Sequence, residues 1–214
     1  MNNELQPLTV GFYRRDPETV ARALLGRYLA RRYDGEDLVL RIVETEAYLG
    51  EGDRASHAWT GKPTRRTATL FRSGGCAYVY FVYGMHNMFN TVAGKRGVGG
   101  AVLVRAGEPV AGAAMMRRLR GLASDRSDVE IASGPGKLCR ALAIDRSFDG
   151  AALDGERLWI GRGRRVDRDR VAVGPRVGVA YAGRAAGWPL RFALERNAHV
   201  SRPFPWSGAK QPSG

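Results

Sequence analysis

The sequence predicts a single α+β domain. Three observations carry this reading: a length of 214 residues, short strand-like segments mixed with a few helical ones, and the absence of any repeat or linker of shifted composition. The length is that of one ordinary domain, and 44% hydrophobic residues supply enough apolar surface for a core. Strands and short helices mixed in this way are the pattern of the α+β class. The domain is placed at residues 1–200. A flexible tail is expected at 201–214, where three prolines interrupt a stretch without periodicity.

Asp16-Pro17 reads as an N-cap and first helical position, followed by Val20, Ala21, Leu24 and Leu25 at helical spacing and closed by Gly26. Residues 27–33 and 38–49 are two strands about the turn Asp34-Gly35-Glu36-Asp37. A loop at 50–62 precedes one or two helical turns at 63–72. The run from Cys76 to Tyr83 is a strand by propensity; Gly84 breaks it, and residues 85–92 return as its partner. A further strand, 101–106, ends beside Arg105 and meets a helix signal at Glu108-Pro109, opening a helix over 110–122. Ser133 reads as the N-cap of a helix around 138–144. Late strands are expected at 171–181 and 190–194. Residues 157–170 carry six arginines, read either as a solvated hairpin or as a phosphate-binding face.

The charge balance is 34 Lys+Arg against 21 Asp+Glu, a formal +13, and 30 of the basic residues are Arg. An excess of this kind on a foldable chain points to an anionic partner, nucleic acid before membrane, because the guanidinium fork binds phosphate bidentately. Cys76 and Cys139 lie too far apart for a metal or redox motif, and His57, His86 and His199 show no metal-ligand spacing, so neither a metal nor another cofactor is expected. With no leader-like N-terminus and no apolar run near bilayer length, a soluble cytoplasmic protein is expected.

Two constellations can carry chemistry. If 38–49 alternates as a regular strand, one face reads Leu38, Leu40, Ile42, Glu44, Glu46, Tyr48: apolar first, then two carboxylates and a ring. Such a strand either runs out to the surface or opens into a polar cleft, where a neighbouring like charge raises one carboxyl pKa and suits it to general-base work. Spacing does not choose between the two acids. In the second constellation Tyr78 and Tyr80 share a face, while Tyr83 falls at a hairpin tip, where a large ring is hard to bury and can enter a base stack.

The segments Arg41–Gly50, Tyr78–Met85, Val104–Pro109 and Ser133–Cys139 resemble, in the same order, the alkyladenine (3-methyladenine) DNA glycosylase family, and the likeness extends from about Leu8 to Leu194. The resemblance implies a curved, mainly antiparallel sheet with flanking helices and a protruding β-hairpin that inserts into DNA. It implies removal of alkylated or deaminated purines, such as 3-methyladenine and hypoxanthine, by base flipping and hydrolysis, leaving an abasic site. Position by position, Glu46 would be the general base, Arg105 would help hold the attacking water, and Tyr48, His57 and Tyr80 would line the pocket. Asn90 would guard its floor and Tyr83 would be the wedge; Glu44 receives no role. The implied partner is double-stranded DNA with damaged purines, bound by a monomer located with the nucleoid, or in the nucleus of a eukaryote. The chemistry is consistent with a carboxylate base, since glycosidic cleavage builds positive charge on the sugar. Two rivals remain: a non-catalytic nucleic-acid-binding module, and a glycosylase with lyase activity, which needs an amine nucleophile and finds only Lys137 within a motif.

Overall fold

The computed structural model describes residues 3–82 and 84–204. A single turn, α1 (Val10–Tyr13), leads into α2 (Pro17–Leu24). There the Asp16 carboxylate accepts from the Thr19 amide at 2.8 Å and Pro17 occupies the first turn, so the capping pair acts as its chemistry predicts. β1 (Tyr28–Tyr33) and β2 (Glu36–Tyr48) form the first hairpin. Its turn is the two-residue Asp34-Gly35, with φ of 49° and 78°, a geometry these residues tolerate and that matches strand twist. A 3-10 turn at Ala68–Phe71 precedes the second hairpin, β3 (Ala77–Val82) and β4 (His86–Ala93). Then come β5 (Gly100–Ala111), α3 (Ala113–Arg120), α4 (Val129–Ala132), α5 (Pro135–Ala141), and the short strands β6 (Leu158–Gly161), β7 (Val171–Gly174) and β8 (Arg191–Leu194).

All pairings are antiparallel, and the eight strands form one open sheet with the path β3-β4-β5-β2-β1-β6. β2 is its spine. β5 runs along one edge, whereas the other is shared: β1 pairs residues 36–41, and β8, backed by β7, pairs Glu44–Glu46. The helices cover one face. Leu24, Met116, Ile131 and Leu138 join Leu40, Val104 and Phe89 in the main core there, which realises the α+β class. The opposite face carries the tyrosines of β3 and the acidic end of β2.

Several expectations are corrected. Glu108-Pro109 does not start a helix, because the long edge of β2 offers β5 a partner as far as Ala111. Pro109, which has no N–H to give, sits where the register slips between Val39 and Leu40. The helix begins only after Gly112, whose φ is 74° and where a Cβ would strike the Leu38 side chain. Ser133 ends α4 rather than capping α5, whose cap is Gly134. The strand expected over 171–181 stops at Gly174, and 3-10 turns occupy Ala180–Gly187. The arginine-rich run is not a hairpin: β6 pairs with β1 at the sheet edge farthest from β3, and its six arginines are exposed. Finally, the tail expected from Ser201 is packed as far as Phe204, since buried charges beneath the sheet need its donors and acceptors; the rest of it, 205–214, lies outside the described residues. No helix among the described residues is long and apolar enough to cross a membrane.

Candidate active site

The acidic end of β2 owes its direction to two irregularities. Opposite β5, Ile42 pairs with Gly107, Glu44 with Ala106 and Thr45 with Val104, so Val43 and Arg105 are each an extra residue. Ile42 and Val43 both enter the helix-side core, and alternation shifts by one. Leu38, Leu40 and Ile42 therefore lie with the helices, while Glu44, Glu46 and Tyr48 emerge on the other face, in correction of the single continuous face read from the sequence. On β5 the alternation runs unbroken through this stretch, so Arg105 shares the cleft face with Ala101 and Leu103 while Val102, Val104 and Ala106 lie in the helix-side core.

Neither acid runs out to the surface, because both are fully buried. Glu46 Oε1 accepts from the Val177 amide at 2.7 Å and lies 3.2 Å from Arg105 Nη1, while Oε2 accepts from the Tyr48 hydroxyl at 2.8 Å. Glu44 Oε1 accepts from Arg105 Nε and Arg191 Nε, each at 2.8 Å. One guanidinium thus bridges two carboxylates. Burial works against the charge on Arg105, but Glu46 and Glu44 outweigh it and hold the group above its ordinary value. Burial, with Glu46 and Tyr80 nearby, raises the Tyr48 phenol well above its ordinary value, so it stays a neutral donor to Glu46.

Tyr48 and Arg105 form part of the wall of a cleft of about 880 Å³, with His57, Tyr78, Tyr80 and Asn90 around it. The structure thus brings together every predicted site residue except Tyr83, which lies outside the described residues. The hairpin that would carry that wedge is exposed around Phe81 and Met85. Asn90 faces Tyr78 across the β3–β4 ladder and donates to the Tyr78 carbonyl at 3.3 Å, which fixes its amide at the cleft wall. His57 Nδ1 is 3.0 Å from the Tyr78 hydroxyl, and its ring packs edge-on to Tyr80 at 4.5 Å.

Desolvation among these rings, and then the charge of Arg66, depress the His57 pKa to about 4. Arg66 also stands 5.9 Å above the Tyr80 ring. The neutral ring favours the folded state fully above the ordinary value of 6.5, and this contribution is lost as pH falls toward about 4. In an NMR titration the His57 C2 proton is expected to keep its neutral shift at pH 6; a midpoint near 6.5 would contradict the desolvated site.

Sequence reasoning missed the frame around these residues. Asp53 and Arg176 form a fully buried bidentate pair at 2.6 and 2.8 Å. Asp53 also accepts from the Leu49 and Ala55 amides, which shapes the loop leading to His57. Arg176 donates to the Ala47 and Ala185 carbonyls and lies 4.8 Å from the Tyr48 ring centroid. The pair joins the His57 loop to the segment that brings Val177 to Glu46. Its members stand 123 residues apart in loops without a motif, so no local signal marks them.

The chain is thus a basic α+β domain with a buried carboxylate behind an aromatic cleft. Residues 11–198 match the family model described as methylpurine-DNA glycosylase, and the chain belongs to that family. Its members are DNA-binding hydrolases of base-excision repair. The chain is similar to proteins named "Putative 3-methyladenine DNA glycosylase" in bacteria and an archaeon. It is 48% identical to that of Anaeromyxobacter dehalogenans over 92% of this chain and 88% of that protein. For Methanocella arvoryzae the identity is 46%, over 91% and 95%; for Desulfitobacterium hafniense it is 42%, over 89% and 96%.

Proposed function

We propose that this protein flips alkylated or deaminated purines, 3-methyladenine and hypoxanthine among them, out of duplex DNA and hydrolyses their N-glycosidic bond, leaving an abasic site. The observation that carries the reading is Glu46, buried directly behind the cleft wall and held by Val177, Arg105 and Tyr48. In this reading Glu46 takes a proton from the attacking water and offsets the positive charge that develops on the sugar, while Arg105 helps to hold that water. A base in a duplex cannot be reached in place, and a damaged pair is the least costly to open. The cleft receives the extruded base among Tyr48, Tyr80 and His57. Their electron-rich, uncharged rings suit a cationic methylated purine, and His57 is placed to hydrogen-bond a neutral lesion. Tyr83 is the proposed wedge, carried on the exposed β3–β4 hairpin.

Cleavage by water rests on Glu46; Lys137, the amine that a lyase would need, lines the same cleft and is bonded to Ser133 Oγ at 3.4 Å. The proposal includes action as a monomer. The deciding experiment is release of free base from a panel of lesion-bearing duplexes, with borohydride present to trap any covalent adduct. Release without an adduct is expected; no release from any lesion would overturn the reading, and a trapped adduct would replace water with an amine.

Discrimination is assigned to Asn90. Guanine differs from hypoxanthine by its exocyclic 2-amino group, which a side chain at the cleft wall can exclude. Asn90→Ser shortens that side chain, and the variant is expected to release guanine from undamaged duplex while still excising hypoxanthine. A folded variant that gains no guanine release would remove Asn90 from this role.

A further inference from the structure

Ser201 lies beyond the stretch matched to the family, 11–198, yet it reaches the centre of the acidic cluster. Its amide donates to Glu44 Oε2 at 2.6 Å, and its hydroxyl lies 3.0 Å from Glu44 Oε1 and accepts from Arg105 Nη2 at 3.1 Å. The following residues fasten this strap to β8: Arg191 Nη2 donates to the Arg202 carbonyl at 2.9 Å, and its guanidinium lies 4.5 Å from the Phe204 ring centroid. Arg105 therefore has its Nε and Nη2 sides occupied by Glu44 and Ser201, and only Nη1 is directed at Glu46, at 3.2 Å.

This division has a chemical consequence. A guanidinium free to turn settles on a carboxylate through two parallel hydrogen bonds. On Glu46 such a fork would occupy lone pairs needed for water and would weaken the carboxylate as a base. We propose that Ser201 is a positioning residue that, with Glu44, shares Arg105 between two carboxylates and keeps Glu46 out of a bidentate ion pair. The inference rests on the reading of Glu46 as the base.

Ser201→Ala removes the hydroxyl but keeps the backbone amide on Glu44, so the strap stays attached; Ser201→Thr restores the hydroxyl. Two measurements are made on both variants and the wild type. The first compares the single-turnover excision rate with affinity for a duplex carrying an uncleavable abasic-site analogue. Ser201→Ala is expected to lose about tenfold or more in rate, the scale of one hydrogen bond to a charged group, with affinity within about twofold and the rate recovered in Ser201→Thr. The second follows solvent exchange at the Arg105 Nε–H by nitrogen-15 NMR, assigned by its loss in Arg105→Lys. Exchange is expected to be about tenfold faster in Ser201→Ala alone, since a side chain released from one partner turns more freely.

An unchanged rate in Ser201→Ala, a loss of affinity in step with rate, or failure of Ser201→Thr to recover would overturn the positioning role. If the wild type releases no base while exchange still depends on the hydroxyl, the glycosylase reading fails and the control of Arg105 stands. If exchange is also independent of it, both fail.

Discussion

Glu46→Gln is expected to leave the fold and its hold on lesion-bearing duplex nearly unchanged while base release falls by about 10²–10⁴-fold, the usual span of general-base catalysis. The environment favours this separation. Gln has the same volume, its carbonyl can accept from Val177 and Arg105 in place of Oε1, and its amide nitrogen can donate to the Tyr48 oxygen once the phenol turns its proton away. What the amide cannot do is accept a proton from water. The measurement is a single-turnover time course with enzyme in excess, beside a binding titration on the same duplex. A normal rate would remove Glu46 from the role. Glu44→Gln is the contrasting control: Glu44 accepts from two buried guanidiniums, so its neutralisation is expected to lower stability more than Glu46→Gln does.

The largest loss of stability is expected from Asp53→Asn. It leaves Arg176 fully buried without its counter-charge, and breaking a buried pair in this way costs about 3–5 kcal/mol. The cost falls on the site as well, because Arg176 supports the Tyr48 ring and anchors the segment that delivers Val177 to Glu46. Replacing both partners by apolar residues, Asp53→Leu with Arg176→Met, removes the lone charge but also the partners of the Leu49 and Ala55 amides and the Ala47 and Ala185 carbonyls, so only part of the loss is expected to return. Urea unfolding of the single and double variants measures this. A single variant with the wild-type midpoint and slope would show that the pair does not hold the loops together.

What the sequence revealed follows the range of the interactions involved. Asp16-Pro17 and Asp34-Gly35 act through neighbours a few residues away, so their cap and turn were legible. The tyrosine hairpin and the acid-rich end of β2 were legible as strands for the same reason, and family resemblance singled out Glu46 where spacing could not. The change of face at Ile42-Val43 was not legible, because a bulge is defined by the partner strand, and nothing local in β2 announces that β5 carries a compensating extra residue. Glu108-Pro109 misled for a related reason: a good local helix start lost to a long unpaired strand edge. Asp53 with Arg176, and Ser201 with Glu44, are contacts across more than a hundred residues between segments that carry no pattern.

The shared edge of β2 places its two halves on different scales of chain organisation. The half that packs leucines under the helices is completed by β1, across a turn of two residues. The half that bears the carboxylates waits for β8, where Arg191 meets Glu44 from 147 positions away. Closing so long a loop costs more entropy than closing a hairpin, and contacts of this kind come late in assembly. The acidic half of the strand is therefore expected to keep its charges in water until both arginines are at hand.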